Sequence, residues 1–241
     1  MANLEMSFWR GKRVLITGNT GFKGTWLSLF LQKLGASLQG IALRPPEVSA
    51  FNLCKLDGSY PTLYEDICNG EALNKVENDF QPEIVFHMAA QPLVIESYNN
   101  PYSTLDVNIK GTYNLLESLR VSNHKVTLIN ITTDKVYENN EKNIAYNEDD
   151  KLGGHDIYSA SKACSDLITH SYRKSFFNKK DPRVKISTAR SGNVIGGGDW
   201  SENRLVPDII RAVLDNSNLE IRNPNSTRPW QHVLEPIYGY I

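Results

Sequence analysis

The chain has 241 residues, of which 40% are hydrophobic and 22% charged, as in globular proteins with one large or two small domains. Its net charge of -1 argues against a nucleic-acid binder, which needs a basic face. No apolar run is long enough to span a bilayer, and residues 1–13 lack a signal-peptide pattern. The scattered cysteines Cys54, Cys68 and Cys164 predict unpaired thiols in a reducing cytoplasm and no metal site.

Short apolar runs alternate along the chain with segments whose apolar residues recur at helical spacing. The predicted strands cover residues 12–17, 37–43, 83–88, 125–132, 183–190 and 219–222. The predicted helices cover residues 22–34, 101–122, 156–177 and 204–216, and the polar residues 138–150 are predicted to form a surface loop. This alternation predicts an α/β fold with a Rossmann-like, doubly wound parallel sheet covered by helices on both faces.

A glycine-rich turn joins the first predicted strand to the first predicted helix. Gly18, Gly21 and Gly24 form a G-x-x-G-x-x-G pattern there. Without side chains at these positions, backbone N–H groups can approach a pyrophosphate at the positive end of the helix. The strand and helix on either side favour a dinucleotide site over an ordinary turn. The predicted cofactor contacts in this segment are Gly18, Thr20, Gly21, Phe22, Lys23 and Gly24.

The end of the second predicted strand leaves the choice of dinucleotide open. An acidic residue that binds the adenosine ribose is expected about 20 residues after the glycine turn. This sequence has Arg44 there, which suits the 2′-phosphate of NADP or is simply a solvated strand end. Asp66 and Ile67, at the end of the next short strand, are the predicted neighbours of the adenine.

Tyr158 and Lys162 lie four residues apart on a predicted helix, so both side chains share one face. A phenol is a poor base at neutral pH, because its reference pKa is about 10. A neighbouring ammonium and a cationic nicotinamide would favour the phenolate. The alternative is a surface pair that stabilises the helix. Thr133, at the carboxyl end of a strand, is predicted to hydrogen-bond the oxygen that Tyr158 deprotonates.

These motifs resemble the extended short-chain dehydrogenase/reductase superfamily, which has TGxxGxxG, a Ser or Thr, YxxxK and an Asn-Val-x-Gly stretch, here residues 193–196. Within it, Thr133-Asp134-Lys135 resembles the nucleotide-sugar 4,6-dehydratases, and the lysine form resembles those that act on CDP-glucose. The stretches TGNTGFKGTWLSLFL, EIVFHMAAQPLV, ARSGNVIGGGDW and RPWQHVLEP agree, and the resemblance covers essentially the whole chain.

The resemblance implies a reaction in which hydride leaves C4 of CDP-D-glucose for NAD and returns to C6. Tyr158 would take the C4 hydroxyl proton, Lys135 the C5 proton, and Asp134 would protonate the departing C6 hydroxyl. The product would be CDP-4-dehydro-6-deoxy-D-glucose. An Asp beside a Lys in water is an ion pair, but excluding water makes the neutral pair accessible, so the chemistry needs a closed site.

Further contacts are implied by the same resemblance. Ala89 and Ala90 would contact the cofactor. The resemblance implies that this cofactor is NAD, and Arg44 leaves NADP as an alternative. The implied substrate contacts are Gln91, Asn193, Arg204 and Arg228, of which Arg228 would bind the diphosphate. His87 is predicted to be a core histidine. The resemblance also implies a cytoplasmic homo-oligomer, a dimer or tetramer paired through the two long helices, in deoxysugar and O-antigen biosynthesis.

We predict an NAD-binding Rossmann domain over residues 1–190 and a partial substrate-binding lobe over residues 191–241. Residues 233–241 have the pattern of a helix that opens at the terminus and cannot bury its apolar face well. We therefore expect an incomplete lobe, with cofactor binding but weak or absent turnover. Two alternatives remain: a nucleotide-sugar 4-epimerase, which would not need Asp134 and Lys135, and a non-catalytic NAD(P)-binding fragment.

Overall fold

The computed structural model describes residues 6–139, 145–177 and 183–241. Six parallel strands form one sheet in the order β3-β2-β1-β4-β5-β6. Their bounds are β1 Arg13–Thr17, β2 Ser37–Ala42, β3 Thr62–Tyr64, β4 Ile84–His87, β5 Val126–Ile131 and β6 Val184–Ala189. The order reverses between β1 and β4, and in open parallel sheets ligands bind at such a point, outside the carboxyl ends of the strands.

Helices cover both faces of this sheet. Their bounds are α1 Phe22–Lys33, α2 Ala50–Leu53, α3 Gly70–Phe80, α4 Val94–Asn99, α5 Pro101–Leu105, α6 Gly111–Val121, α7 Ile157–Tyr172, α8 Leu205–Leu214 and α9 Leu234–Tyr240. Side chains alternate along β1, so Val14 and Ile16 join the core on one face while Leu15 joins the core on the other. The predicted doubly wound α/β class is confirmed.

The two long predicted helices are present with a change of winding in each. A π-helical turn, Asp106–Lys110, lies between α5 and α6, and a second one, Arg173–Phe177, follows α7. The first turn carries the buried Asn108, whose side chain bonds both the backbone of Gln91 and the hydroxyl of Ser161. Such turns occur frequently at functional sites, and helical periodicity alone does not reveal them.

Two expectations about the carboxyl-terminal part are wrong. Residues 219–222 form no strand; instead β7, Asn193–Ile195, pairs with β8, Trp230–His232. The final helix also buries its apolar face well, because Val233 and Ile237 are fully buried in the core beside α1.

Within the described residues, no helix is long and apolar enough to cross a membrane. The same part of the chain contains no cluster of His, Cys, Asp and Glu that could hold a metal ion. The predicted loop over residues 138–150 is irregular where the structure describes it, and its residues 140–144 lie outside that part.

Candidate active site

The glycine turn after β1 has the shape of a phosphate cradle. Gly18 has a φ of +71°, and a Cβ there would lie 2.7 Å from the backbone nitrogen of Ala89. A Cβ on Gly24 would lie 2.2 Å from the carbonyl oxygen of Gly18, so the helix and the turn pack too closely for any side chain. At Gly21 a Cβ would meet only the Gly18 oxygen, at 3.3 Å. Packing within the protein therefore demands glycine at two positions and leaves the third free to serve a ligand.

Asn19, inside this turn, is a residue that the sequence reasoning missed. It is fully buried, and its amide donates to the hydroxyls of Tyr60 and Thr62, each at 3.0 Å. Its side chain fills the space over Gly40, where a Cβ would lie 2.3 Å away. These contacts tie the turn to the neighbouring strands. Only the unusual glycine in the middle of a strand hints at such a close approach in the sequence.

The other predicted cofactor residues lie at the same edge of the sheet. Arg44 is exposed after β2, with its guanidinium 4.4 Å from the centre of the Tyr64 ring. Asp66 and Ile67 follow β3, where the Asp66 carboxylate accepts a bond of 2.8 Å from the Cys68 N–H. Ala89 and Ala90 follow β4, and Ala89 donates from its backbone to the hydroxyl of the strand-end residue Thr17. Thr20 bonds the Leu43 carbonyl, at 2.9 Å, which closes this edge.

Phe22 and Lys23 begin α1. Phe22 packs at the edge of the core, and the Lys23 ammonium lies 3.4 Å from the hydroxyl of Tyr240 in the last helix. The glycine turn therefore contacts the carboxyl-terminal part of the chain directly. Trp26 adds a second link, since its indole donates to the Gly197 carbonyl at 2.9 Å.

Helix α7 holds the end of β5 with the predicted tyrosine and lysine. The Tyr158 phenol lies beside the side chain of Thr133, and the buried ammonium of Lys162 donates to the Ile131 carbonyl at 2.9 Å. The phenol therefore does not point into bulk solvent. The helix begins there because the Asp156 carboxylate caps it, accepting from the backbone N–H and the hydroxyl of Ser159.

Burial has the largest effect on the pKa values of Tyr158 and Lys162. Burial raises the pKa of Tyr158 to about 12, opposed by the charge of Arg204 and by the Thr133 hydrogen bond. Burial lowers the pKa of Lys162 to about 7, with the Lys23 charge acting in the same direction. Desolvation dominates both groups, and the expected lowering of the tyrosine pKa, which requires the cationic nicotinamide as well as the lysine, stays a prediction. The cation that favours the phenolate here is Arg204.

Asp134 and Lys135 lie on the same side of the sheet as Tyr158. They form a 3₁₀ turn after β5, capped by Thr133, whose hydroxyl lies 3.0 Å from the Asp134 carboxylate. The Lys135 ammonium is 5.8 Å from the centre of the Tyr158 ring. Burial lowers the pKa of Lys135, Asp156 acts against this, and Arg228 reinforces it. A lysine with a lowered pKa is a more effective general base near neutral pH.

The predicted substrate contacts separate into two groups. Arg204 and Arg228 both act electrostatically on Lys135, so the structure brings two cations to the acid–base pair. Arg204 is held by Asp199 at 3.0 Å, whereas Arg228 is exposed. Asn193 lies in β7, beside Trp230.

Gln91, by contrast, uses its side chain inside the protein. The amide donates to the Leu93 carbonyl and the Thr104 hydroxyl, and its oxygen accepts from the Leu93 N–H. The predicted core role of His87 is confirmed, since its ring lies between the hydroxyls of Thr17 and Thr112 and burial lowers its pKa to about 3.

An open cleft runs beside the acid–base pair. Its lining includes Asp134, Lys135, Asp156 and Arg228, and it also exposes parts of Asp166 and Arg190. Neither Asp166 nor Arg190 was singled out from the sequence, because no spacing links residues that meet only through the fold.

A family model described as GDP-mannose 4,6-dehydratase matches residues 15–240. The CDP-glucose 4,6-dehydratase of Salmonella typhimurium is 48% identical over 99% of this chain and 67% of that protein. The chain belongs to the GDP-mannose 4,6-dehydratase family. A probable dTDP-glucose 4,6-dehydratase of Sinorhizobium fredii is 27% identical over 92% of this chain and 64% of that protein. The chain thus spans about two thirds of the length of these relatives.

Solved structures of related enzymes share the fold. A dTDP-glucose 4,6-dehydratase double mutant from Streptomyces venezuelae, with NAD bound, has a TM-score of 0.83 at 22% identity, over 95% of this chain and 70% of that one. The UDP-glucuronic acid 4-epimerase of Bacillus cereus, in complex with UDP-glucuronic acid and NAD, has a TM-score of 0.79 at 24% identity, over 94% and 71%. Dehydratases and epimerases therefore both share this fold.

Proposed function

We propose that the protein is an NAD-dependent nucleotide-sugar 4,6-dehydratase that converts CDP-D-glucose to CDP-4-dehydro-6-deoxy-D-glucose. The observation that carries this proposal is the position of Lys135, 5.8 Å from the Tyr158 ring and adjacent to Asp134. Tyr158, which would assist oxidation at C4, and the residues Asp134 and Lys135, which would catalyse the elimination, can therefore act on neighbouring carbons of one sugar. The 48% identity to a CDP-glucose 4,6-dehydratase supports the same substrate.

The glycine turn fits a dinucleotide. Gly18, Gly21 and Gly24 leave backbone N–H groups uncovered at the start of α1, which suits a pyrophosphate. NAD supplies a hydride acceptor for C4, a hydride donor for C6 and a positive charge that favours the phenolate of Tyr158. Thr20, Phe22, Lys23, Arg44, Asp66, Ile67, Ala89 and Ala90 are the remaining proposed contacts. The exposed Arg44 leaves room for NADP as a weaker alternative.

The first step is oxidation at C4. Tyr158 takes the proton of the C4 hydroxyl, while the Thr133 hydroxyl holds the same oxygen. Arg204 stabilises the charge that develops on the phenol, because it is the largest influence that opposes the raised pKa of Tyr158. Lys162 fixes the geometry by holding the Ile131 carbonyl next to this threonine.

The second step is elimination across C5 and C6. The new C4 ketone acidifies the C5 hydrogen, which Lys135 removes in its neutral form, while Asp134 protonates the departing C6 hydroxyl. The lowered pKa of Lys135 supports this assignment, because it increases the neutral fraction at physiological pH. Hydride return to C6, with a proton given to C5 by the protonated Lys135, would complete a reaction without net oxidation.

Arginine side chains are suited to the diphosphate. We assign this role to Arg228, whose exposed guanidinium is available for paired hydrogen bonds with two phosphate oxygens, and we propose Arg204 and Asn193 as weaker contacts of the same anion. Gln91 is proposed to act by ordering the loop after β4, since its amide is already bonded within the protein.

The test is to incubate the purified protein, for which we expect weak turnover, with CDP-D-glucose for long enough to accumulate product, and to measure the alkaline ultraviolet absorbance of a 4-keto sugar. Appearance of this chromophore, with a product that has lost its C6 hydroxyl, supports the dehydratase. An epimerised sugar without the chromophore would favour the 4-epimerase. Bound cofactor with no change in the sugar would indicate a non-catalytic module. Mass spectrometry of the copurifying nucleotide distinguishes NAD from NADP.

We propose further that residues 1–190 form the NAD-binding domain and residues 191–241 the start of the substrate lobe. We also propose a cytoplasmic homo-oligomer that serves deoxysugar synthesis and pairs through α5 to α7. Exposed apolar side chains on these helices support the pairing, such as Tyr102 at 78% and Leu167 at 54% exposure. Light scattering after gel filtration would measure the oligomeric state.

A further inference from the structure

A buried ion pair lies beside the 3₁₀ turn Asp134–Val136, called here the acid–base turn. Arg190, directly after β6, donates from Nε and Nη2 to the two carboxylate oxygens of Asp166 on α7, at 2.8 and 3.1 Å. The side chains are 15% and 5% exposed, so the pair is largely removed from water. A charge pair in such a place costs desolvation and is a weak source of stability by itself. The geometry of the ion pair therefore indicates a role other than stabilising the fold.

The pair also binds the segment that carries the elimination residues. The remaining Arg190 nitrogen, Nη1, donates to the hydroxyl of Tyr137 at 2.9 Å, and the guanidinium stacks 4.9 Å from the centre of that ring. Tyr137 follows Lys135 by two residues and is itself buried. Its ring also stacks on Tyr146, with the ring centres 5.0 Å apart and an angle of 12° between the planes. Arg190 thus fixes the residue that ends the acid–base turn.

Asp166 fixes the beginning of the same turn. The Thr132 hydroxyl donates to it at 3.1 Å. On α7 this aspartate lies four residues after Lys162 and eight after Tyr158, on one face of the helix. That face therefore binds the last residue of β5 and the residue that follows it, Ile131 through Lys162 and Thr132 through Asp166, and it places Tyr158 beside Thr133.

We propose that Arg190, together with Asp166, is a positioning residue that holds Asp134 and Lys135 in register with Tyr158. This inference rests on the proposed dehydratase function. Both ends of the turn are bonded to the ion pair or its partners, so loss of Arg190 releases the segment that ends at Tyr137. The elimination step, which needs Asp134 and Lys135 at two different carbons, is the step that this release slows. Oxidation at C4 uses Tyr158 and Thr133, and the ion pair hydrogen-bonds neither of them.

The variants are chosen to separate positioning from folding. Tyr137→Phe removes the hydroxyl that Arg190 binds and leaves the ion pair intact. Arg190→Lys keeps the charge and loses the two-pronged contact with Asp166. A double variant, Arg190→Met with Asp166→Leu, removes both buried charges together, which buried pairs commonly tolerate without loss of stability. Tyr146→Phe is the matched control, since its hydroxyl does not contact Arg190.

The measurement is single-turnover absorbance of the bound reduced nicotinamide after mixing holoenzyme with CDP-glucose. Its rise reports oxidation at C4, and its decay reports elimination followed by hydride return. In Tyr137→Phe, Arg190→Lys and the double variant we expect an unchanged rise and a decay slowed by about tenfold or more, the scale expected for misplaced catalytic groups. Tyr146→Phe should keep both phases.

Equal slowing of both phases, or no change in either, would overturn the positioning role while leaving the dehydratase intact. A wild-type protein with neither phase would overturn the proposed function itself, and this inference with it.

Discussion

Two buried carboxylates at opposite ends of the sheet have different surroundings. Asp166, at the carboxyl ends of the strands, accepts two bonds from Arg190 and one from Thr132. Glu77, on α3 near the amino ends, is 1% exposed and faces His124 at 3.2 Å. Burial raises the pKa of Glu77 to about 7, and burial also lowers the pKa of His124.

The two carboxylates differ in whether a permanently charged partner accompanies them in the protein interior. Near the site, a permanently charged arginine is the counter-charge of Asp166, and the pair is bonded to the turn that carries the proposed chemistry. At the other end the partner is a histidine, which supplies no permanent charge, and burial drives the acid toward its neutral form. A charge is retained inside this protein where it positions other groups.

The largest expected effect concerns the site end. Lys135→Met should leave C4 oxidation in place and stop elimination, with product formation reduced about 10²- to 10⁴-fold, the range typical of a lost general base. The measurement is the yield of 4-keto-6-deoxy sugar. Lys151→Met is the matched control, because Lys151 pairs with Glu138 at an exposed position. A normal yield from Lys135→Met would remove this lysine from the mechanism.

Replacing each of the two carboxylates in turn should lower the free energy of unfolding by different amounts. Asp166→Asn leaves Arg190 buried without its counter-charge, which should lower the free energy of unfolding by about 3–5 kcal/mol. Glu77→Gln keeps a neutral group of similar shape and should change it by much less at pH 5, where Glu77 is already protonated. Urea denaturation of both variants measures the difference. Losses of equal size would contradict the contrast between the two acids.

The smallest expected effect is a change in the pH dependence of stability. Glu77 has a folded pKa above its unfolded value of 4.5, so its contribution to stability is present below that value and falls as the pH rises toward about 7. The slope reaches about 1.4 kcal/mol per pH unit for one proton. His124 has a folded pKa below 6.5, so its contribution rises with pH as the pH approaches that value.

These two slopes have opposite signs, so single variants separate them. Glu77→Gln should leave a stability that rises with pH between about 5.5 and 6.5, and His124→Gln one that falls over the same range. Denaturation midpoints at several pH values give the slopes. If stability changed with pH at the same rate in the two variants, neither Glu77 nor His124 would change its pKa on folding.

Much of the fold could be predicted because its signals are local. The apolar runs of β1, β4 and β5 and the glycine turn carry their own periodicity and shape. The prediction of a strand over residues 219–222 is wrong, because so short a run has no periodicity that could test it. The helices α2 to α4 were not predicted. The good burial of α9 was missed because its partner, α1, lies at the other end of the sequence.

The candidate site divides in the same way. Tyr158, Lys162, Asp134 and Lys135 belong to short motifs, and the structure brings them together. The role of Arg190 depends on Asp166 and Tyr137, which only the folded chain brings within hydrogen-bond distance of it. The pKa of Tyr158 is likewise raised by burial and opposed by Arg204, and helical spacing with Lys162 reports neither effect.

The most direct test of the account follows one hydrogen through the reaction. CDP-glucose that carries deuterium at C4 and ¹³C throughout the sugar, mixed with an equal amount of unlabelled substrate, is converted by the protein and the product is read by mass spectrometry and NMR. The account predicts deuterium at C6 of the same molecules that carried it at C4, with a solvent hydrogen at C5. Deuterium that stays at C4 of an unchanged or epimerised sugar would contradict it.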